Sequence, residues 1–129
     1  MTYEDNIKKL NIILPEAKAP VGNYVATKIT GKMLFVSGQI SIDENGELIK
    51  GKVGKELDTE GGYNAAKRCA LSIVAQVKKA CDNDLSKIKS CVKLTGFVNS
   101  TENFTEHLKV SSESSDMIAS VLCEEGSHG

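Results

Sequence analysis

Between Thr59 and Asp82 the apolar residues Ala66, Cys69, Ala70, Ile73, Val74, Val77 and Cys81 recur at three- and four-residue steps. That period predicts an amphipathic helix over about 59–82. Lys67, Arg68, Gln76, Lys78 and Lys79 fall mostly on the opposite, polar side. Asp58 or Thr59 can cap its start, and the late lysines suit the negative end of the helix dipole. Gly61 and Gly62 weaken its first turn. A second stripe, Met117, Ile118, Val121 and Leu122, predicts a helix over about Ser111 to Glu125, with Gly126 as its C-cap. Phe104 and Leu108 fall on a preceding turn. Met1 to Leu10 reads as a short amphipathic turn or helix.

Elsewhere the pattern is that of strands. Tyr24 to Thr30 alternates, with Val25, Thr27 and Ile29 on one face. Gly31-Lys32 marks a turn. Met33-Leu34-Phe35-Val36 is a continuous apolar run, as expected of a strand covered on both faces. Asn45-Gly46 is a strong hairpin signal, followed by Leu48-Ile49. Ile88 to Val98, with Val92, Leu94 and Val98, predicts a further strand. Pro15 and Pro20 push their predecessors out of helix, so 14–20 reads as an extended lead-in. The order is strands, helix, strand, helix: an α+β or split βαβ plan with helices on one face of a mixed sheet.

The 129 residues make one domain, 1–129, large enough to bury a core without staples. A net charge of -1 and 5% aromatics argue against nucleic acid as a partner, since phosphate binding needs clustered cations. Cys69, Cys81, Cys91 and Cys123 show no metal-type spacing and read as reduced core thiols. No apolar run has the length of a signal core or a membrane span, so a cytoplasmic protein is expected.

Little else signals chemistry. Gly51-Lys52-Val53-Gly54-Lys55 lacks the phosphate-loop pattern and reads as a solvated glycine turn. His107 reads as a surface polar residue, Glu124-Glu125 as a solvated helix end, and His128 is terminal. Two stretches are more suggestive. Gly22-Asn23-Tyr24-Val25 places a phenol at a strand start. Ser37-Gly38-Gln39 places bare backbone at the end of a buried strand, where a ligand can approach. A buried-edge tyrosine and a bulge glycine explain the same residues more simply, and the residues alone favour them.

Three passages together resemble the RidA/YjgF family, also called endoribonuclease L-PSP. They are Ile13-Leu14-Pro15 with Ala19-Pro20-Val21-Gly22-Asn23-Tyr24-Val25; Leu34-Phe35-Val36-Ser37-Gly38-Gln39-Ile40 with Gly51-Lys52-Val53-Gly54; and Val92 to Ser100 with Asn103-Phe104-Thr105. Tyr63 to Ala66 and Cys69-Ala70-Leu71 fit the family's first helix. The resemblance implies a chorismate-mutase-like α+β fold, a mixed sheet with two helices on one face. It also implies a homotrimer with ligand clefts between subunits, and hydrolysis of enamines and imines to 2-oxo acids and ammonia without a cofactor or metal. The ligand would be a small carboxylate-bearing imine or 2-oxo acid. Tyr24, Ser37 and Gly38 match cleft positions, and Ser112 stands near the family's cleft asparagine. Arg68, the only arginine of the sequence, does not match the family's catalytic arginine. The family's arginine and glutamate segment is expected beyond Gly129, so no catalytic residue is assigned and the chain reads as C-terminally truncated with impaired turnover. Two alternatives stand beside imine hydrolysis: a non-catalytic ligand-binding or interaction trimer, and the ribonuclease or translation-inhibitor activity of the family's older name.

Overall fold

The computed structural model describes residues 2–20, 22–23 and 25–121. Elements run α1 (Tyr3–Lys9), β1 (Thr27–Thr30), β2 (Met33–Val36), α2 (Thr59–Ala80), a 3-10 turn (Leu85–Lys87) and α3 (His107–Val121). The plan is α+β. Thr2 closes a capping box on α1: its hydroxyl accepts from Asp5 N–H while the Asp5 carboxylate accepts from Thr2 N–H. Asp58 caps α2 by accepting from Gly61 N–H at 2.6 Å. α3 starts four residues earlier than the apolar stripe suggested, taking in Leu108. The expected cap at Gly126, together with Cys123, Glu124, Glu125 and His128, lies outside the described residues.

Ile7, Ala70, Val74, Leu85 and Ile118 form the core, joining α1, α2, the 3-10 turn and α3. Gly62 has a use beyond its cost to the helix. A Cβ there would sit 3.1 Å from Val53 and 3.2 Å from Val110, so its bareness lets α2 approach both. Thr59 at the head of α2 donates to Glu106, which also accepts from Lys109. Those hydrogen bonds, from Lys109 first and Thr59 second, lower the Glu106 pKa.

Three expectations are corrected here. Arg68 and Gln76 are not on an open polar face; they are 7% and 4% exposed. Their heads reach loop carbonyls that cross α2: Arg68 Nε donates to Ile42 O at 2.7 Å, and Gln76 Nε2 to Lys18 O at 2.8 Å. A polar side chain is buried cheaply when it satisfies a buried acceptor. Second, β2 is covered on one face only. It pairs antiparallel with β1 (Thr27 opposite Val36, Thr30 opposite Met33), and Leu34 and Val36 turn toward the interior. Met33 and Phe35 on the other face stay 40% and 56% exposed, because no described element packs there.

Third, Ile88 to Val98 forms no ladder among the described residues. From Ser90 to Val98 no main-chain group finds a main-chain partner among the described residues. Cys91 and Leu94 still pack on the core. Side-chain pattern made the segment strand-like, but a strand also requires a neighbour. Its main-chain tie comes just after it, where Ser100 bridges Val53. The Asn45-Gly46 turn forms as expected, with Ile42 opposite Leu48 and Asp43 Oδ1 accepting from Asn45 and Glu47 N–H. Gly46 takes φ +80°, which the turn requires. Among the described residues no helix is long and apolar enough to cross a membrane.

Arg68 therefore ties the 42–48 hairpin to α2, helped by a looser 3.7 Å approach to the exposed Glu44. Arg68→Ala is expected to lower stability by about 2 kcal/mol, the typical worth of a buried charge-assisted hydrogen bond plus its stem packing. Urea unfolding measures it. A loss below about 0.5 kcal/mol, the scale of ordinary surface changes, would contradict the assignment.

Candidate functional site

The β1–β2 ladder continues one step past its strands, where Ser37 N–H donates to Ala26 O at 2.9 Å. This places the start of one strand beside the end of the other. Gln39 Nε2 donates to Ser37 O at 3.3 Å. The Ser37 hydroxyl is buried and has no hydrogen-bond partner among the described residues. Leaving such a group unsatisfied costs about 1–3 kcal/mol, so it calls for an explanation.

Gly38 is exposed, and a Cβ built on it meets nothing within 4 Å. Its φ is not in the positive region either. Among the described residues, neither backbone strain nor crowding demands a glycine here. By contrast, Gly51 and Gly54 have φ +133° and +97°, and a Cβ on each would lie 2.7 Å from Glu56 or Thr101. The Gly51–Lys55 turn is thus structural: Glu56 accepts from Lys52 N–H, and Val53 at its centre is 4% exposed.

Tyr24 lies outside the described residues. Ser112 sits on α3, and its hydroxyl donates to Leu108 O at 2.6 Å. Among the described residues no hydrogen bond joins it to Ser37 or Gly38. Within one chain, then, Ser37 and Gly38 stand together and Ser112 stands apart. Cys81 is buried and Cys69 and Cys91 half-buried, none in a disulfide. Desolvation raises all three thiol pKa values, which keeps them protonated. An open cleft of about 410 Å³ lies between the 18–20 and 25–27 segments and Gln76, Lys79 and Ala80 of α2. One contact had no sequence signal at all: Ser100 Oγ lies 2.6 Å from His107 Nε2, between the loop before α3 and the first residue of that helix, so no single element's period relates them.

Residues 4–129 match the family model described as "YjgF/chorismate_mutase-like, putative endoribonuclease". The chain belongs to this YjgF family. Among solved structures, a Shewanella oneidensis MR-1 protein described as a putative endoribonuclease superposes with a TM-score of 0.94 at 33% identity. That match covers 100% of this chain and 85% of the other. The Agrobacterium tumefaciens protein Atu1372, of unknown function, gives 0.87 at 40% identity, over 99% and 79% of the two chains. Protein TCP17 of Trypanosoma cruzi is 43% identical over 120 residues, 93% of this chain and 74% of its own length. The RutC family protein PYRAB12510 of Pyrococcus abyssi is 27% identical over 103 residues, 79% of this chain and 71% of its own length. The fold is therefore the YjgF chorismate-mutase-like one, as the resemblance implied.

Removing the partnerless hydroxyl is expected to be neutral or stabilising. Ser37→Ala should hold or raise the unfolding free energy measured in urea, by up to about 1 kcal/mol. A loss of more than 1 kcal/mol would show that the hydroxyl is satisfied in the folded chain.

Proposed function

We propose that Ser37 and Gly38 form part of a RidA-type cleft that hydrolyses small carboxylate-bearing enamines and imines to 2-oxo acids and ammonia. The observation that carries this reading is the buried Ser37 hydroxyl, partnerless among the described residues, beside a glycine that none of those residues requires. A ligand that hydrogen-bonds the hydroxyl and lies against bare backbone accounts for both. In the reaction water adds to the imine carbon, the carbon–nitrogen bond breaks and ammonia leaves. Ser37 and the backbone at Gly38 hold the substrate in place. Tyr24 and Ser112 belong to the same proposal as cleft-lining residues, Ser112 from a neighbouring subunit's α3.

A homotrimer fits the surface. Met33 and Phe35 on the uncovered sheet face, Val25 beside the site and Phe97 at 95% exposure leave apolar area that association would bury. Light scattering with size-exclusion chromatography is expected to give three times the chain mass. A folded monomer at micromolar concentration would contradict shared clefts.

A second reading is favoured by Arg68. A substrate carboxylate is best held by a free guanidinium fork, and the one arginine of this sequence is buried on Ile42 O. Among the described residues no arginine is free for that role, which favours a cleft that binds 2-oxo acids without much turnover. Nucleic acid is not proposed as a partner, given the net charge of -1.

The test generates 2-iminobutanoate in situ with an amino-acid dehydratase and follows its decay. A polypeptide of these 129 residues is expected to accelerate hydrolysis only weakly, and Gly38→Val to abolish the effect without unfolding the protein. Calorimetry with 2-oxobutanoate separates the two readings. Binding without acceleration selects the non-catalytic cleft; neither binding nor acceleration contradicts both.

A further inference from the structure

Ser100 and His107 form a pair that the Ser37–Gly38 site does not use. Ser100 Oγ is 2.6 Å from His107 Nε2, within the reach of a nucleophile and its base. Packing fixes both partners. Phe104 holds the His107 ring edge-on, with centroids 5.0 Å apart and planes at 77°. Ser100 is pinned through Val53, whose N–H donates to Asn99 O at 2.9 Å and whose carbonyl accepts from Thr101 N–H at 3.1 Å. Phe104 N–H closes the turn onto Thr101 O. The two side chains therefore meet on a braced turn.

His107 is exposed, so small molecules can reach the pair. It is also the first residue of α3, which puts the hydroxyl near the positive end of a 15-residue helix, where negative charge is favoured. Among the described residues no side chain bonds His107 Nδ1, so the pair lacks the third, orienting group of a triad. That limits it to activated acyl donors.

We propose that Ser100 is an acyl-accepting nucleophile with His107 as its general base, a second site that takes small activated esters. Ser100 Oγ bonds to the ester carbonyl carbon as its proton passes to Nε2. The ester carbon–oxygen bond then breaks, and the alcohol or phenol departs with that proton. Water, deprotonated by the same imidazole, releases the acid and restores the hydroxyl. The steps consume only ester and water. A structural clasp between the turn and α3 would show the same hydrogen bond and no such reactivity.

The test treats the full chain with p-nitrophenyl acetate and maps acetylated residues by mass spectrometry. Ser100 is expected to be acetylated first, on the order of 100 times faster than in His107→Gln, the usual worth of general-base assistance. Acetylation confined to scattered lysines, or Ser100 acetylation equally fast in His107→Gln, would overturn the proposal. Thermal melts check that the variant folds. If it does not, a fluorophosphonate probe on the unaltered chain decides: it must label Ser100 ahead of every other serine, and failure to do so also overturns the proposal.

Discussion

Ala70 and Val74 on α2 close against Leu85 and Ile118, and that contact decides where the other elements can lie. Ala70 is wholly inaccessible and Leu85 nearly so, so neighbours that approach this point have no slack. Because α2 is covered on several sides, its polar residues must also be satisfied where they lie. Arg68 and Gln76 do this by reaching over to carbonyls of the 42–48 hairpin and the 14–20 lead-in. Lys78 reaches Glu4 of α1 at 3.1 Å, so a third segment is tied to the same helix. The Ser37–Gly38 corner is carried by the hairpin that this helix supports.

Away from α2 the chain is markedly less closed. The outer face of the β1–β2 hairpin shows Met33 and Phe35, and from Ser90 to Val98 the main chain has no main-chain partner among the described residues, with Val92 and Phe97 exposed. Apolar surface of this kind and bare strand edges are what association covers in soluble proteins. The corner with the partnerless Ser37 hydroxyl follows directly from the end of β2, on this less covered part of the molecule. Among the described residues nothing requires the glycine of this site, which leaves its bare backbone open to the proposed ligand.

Local chemistry was the legible part of the sequence. The period of α2, its Asp58 cap, the Gly31-Lys32 turn and the Asn45-Gly46 turn each depend on neighbours a few residues away, and each formed where the pattern placed it. The misplaced features depend on distant partners. Periodicity put Arg68 and Gln76 on the polar side because it cannot see the loop carbonyls that come to meet them. It made Ile88 to Val98 a strand because pairing is not written in the strand's own residues. At the candidate site, Gly38 stood out through family resemblance and through the general use of strand glycines. The unsatisfied Ser37 hydroxyl and the Ser100–His107 contact are relations between atoms, visible only in the folded chain.

The end of β2 is proposed to face a small carboxylate ligand. Amide chemical shifts followed during titration with 2-oxobutanoate test it most directly. Saturable shifts centred on Ser37, Gly38 and Gln39, and suppressed by Gly38→Val, are the predicted result. Saturable shifts confined to other places, such as the cleft between Lys18 and Lys79, with Ser37 to Gln39 unmoved, would contradict it.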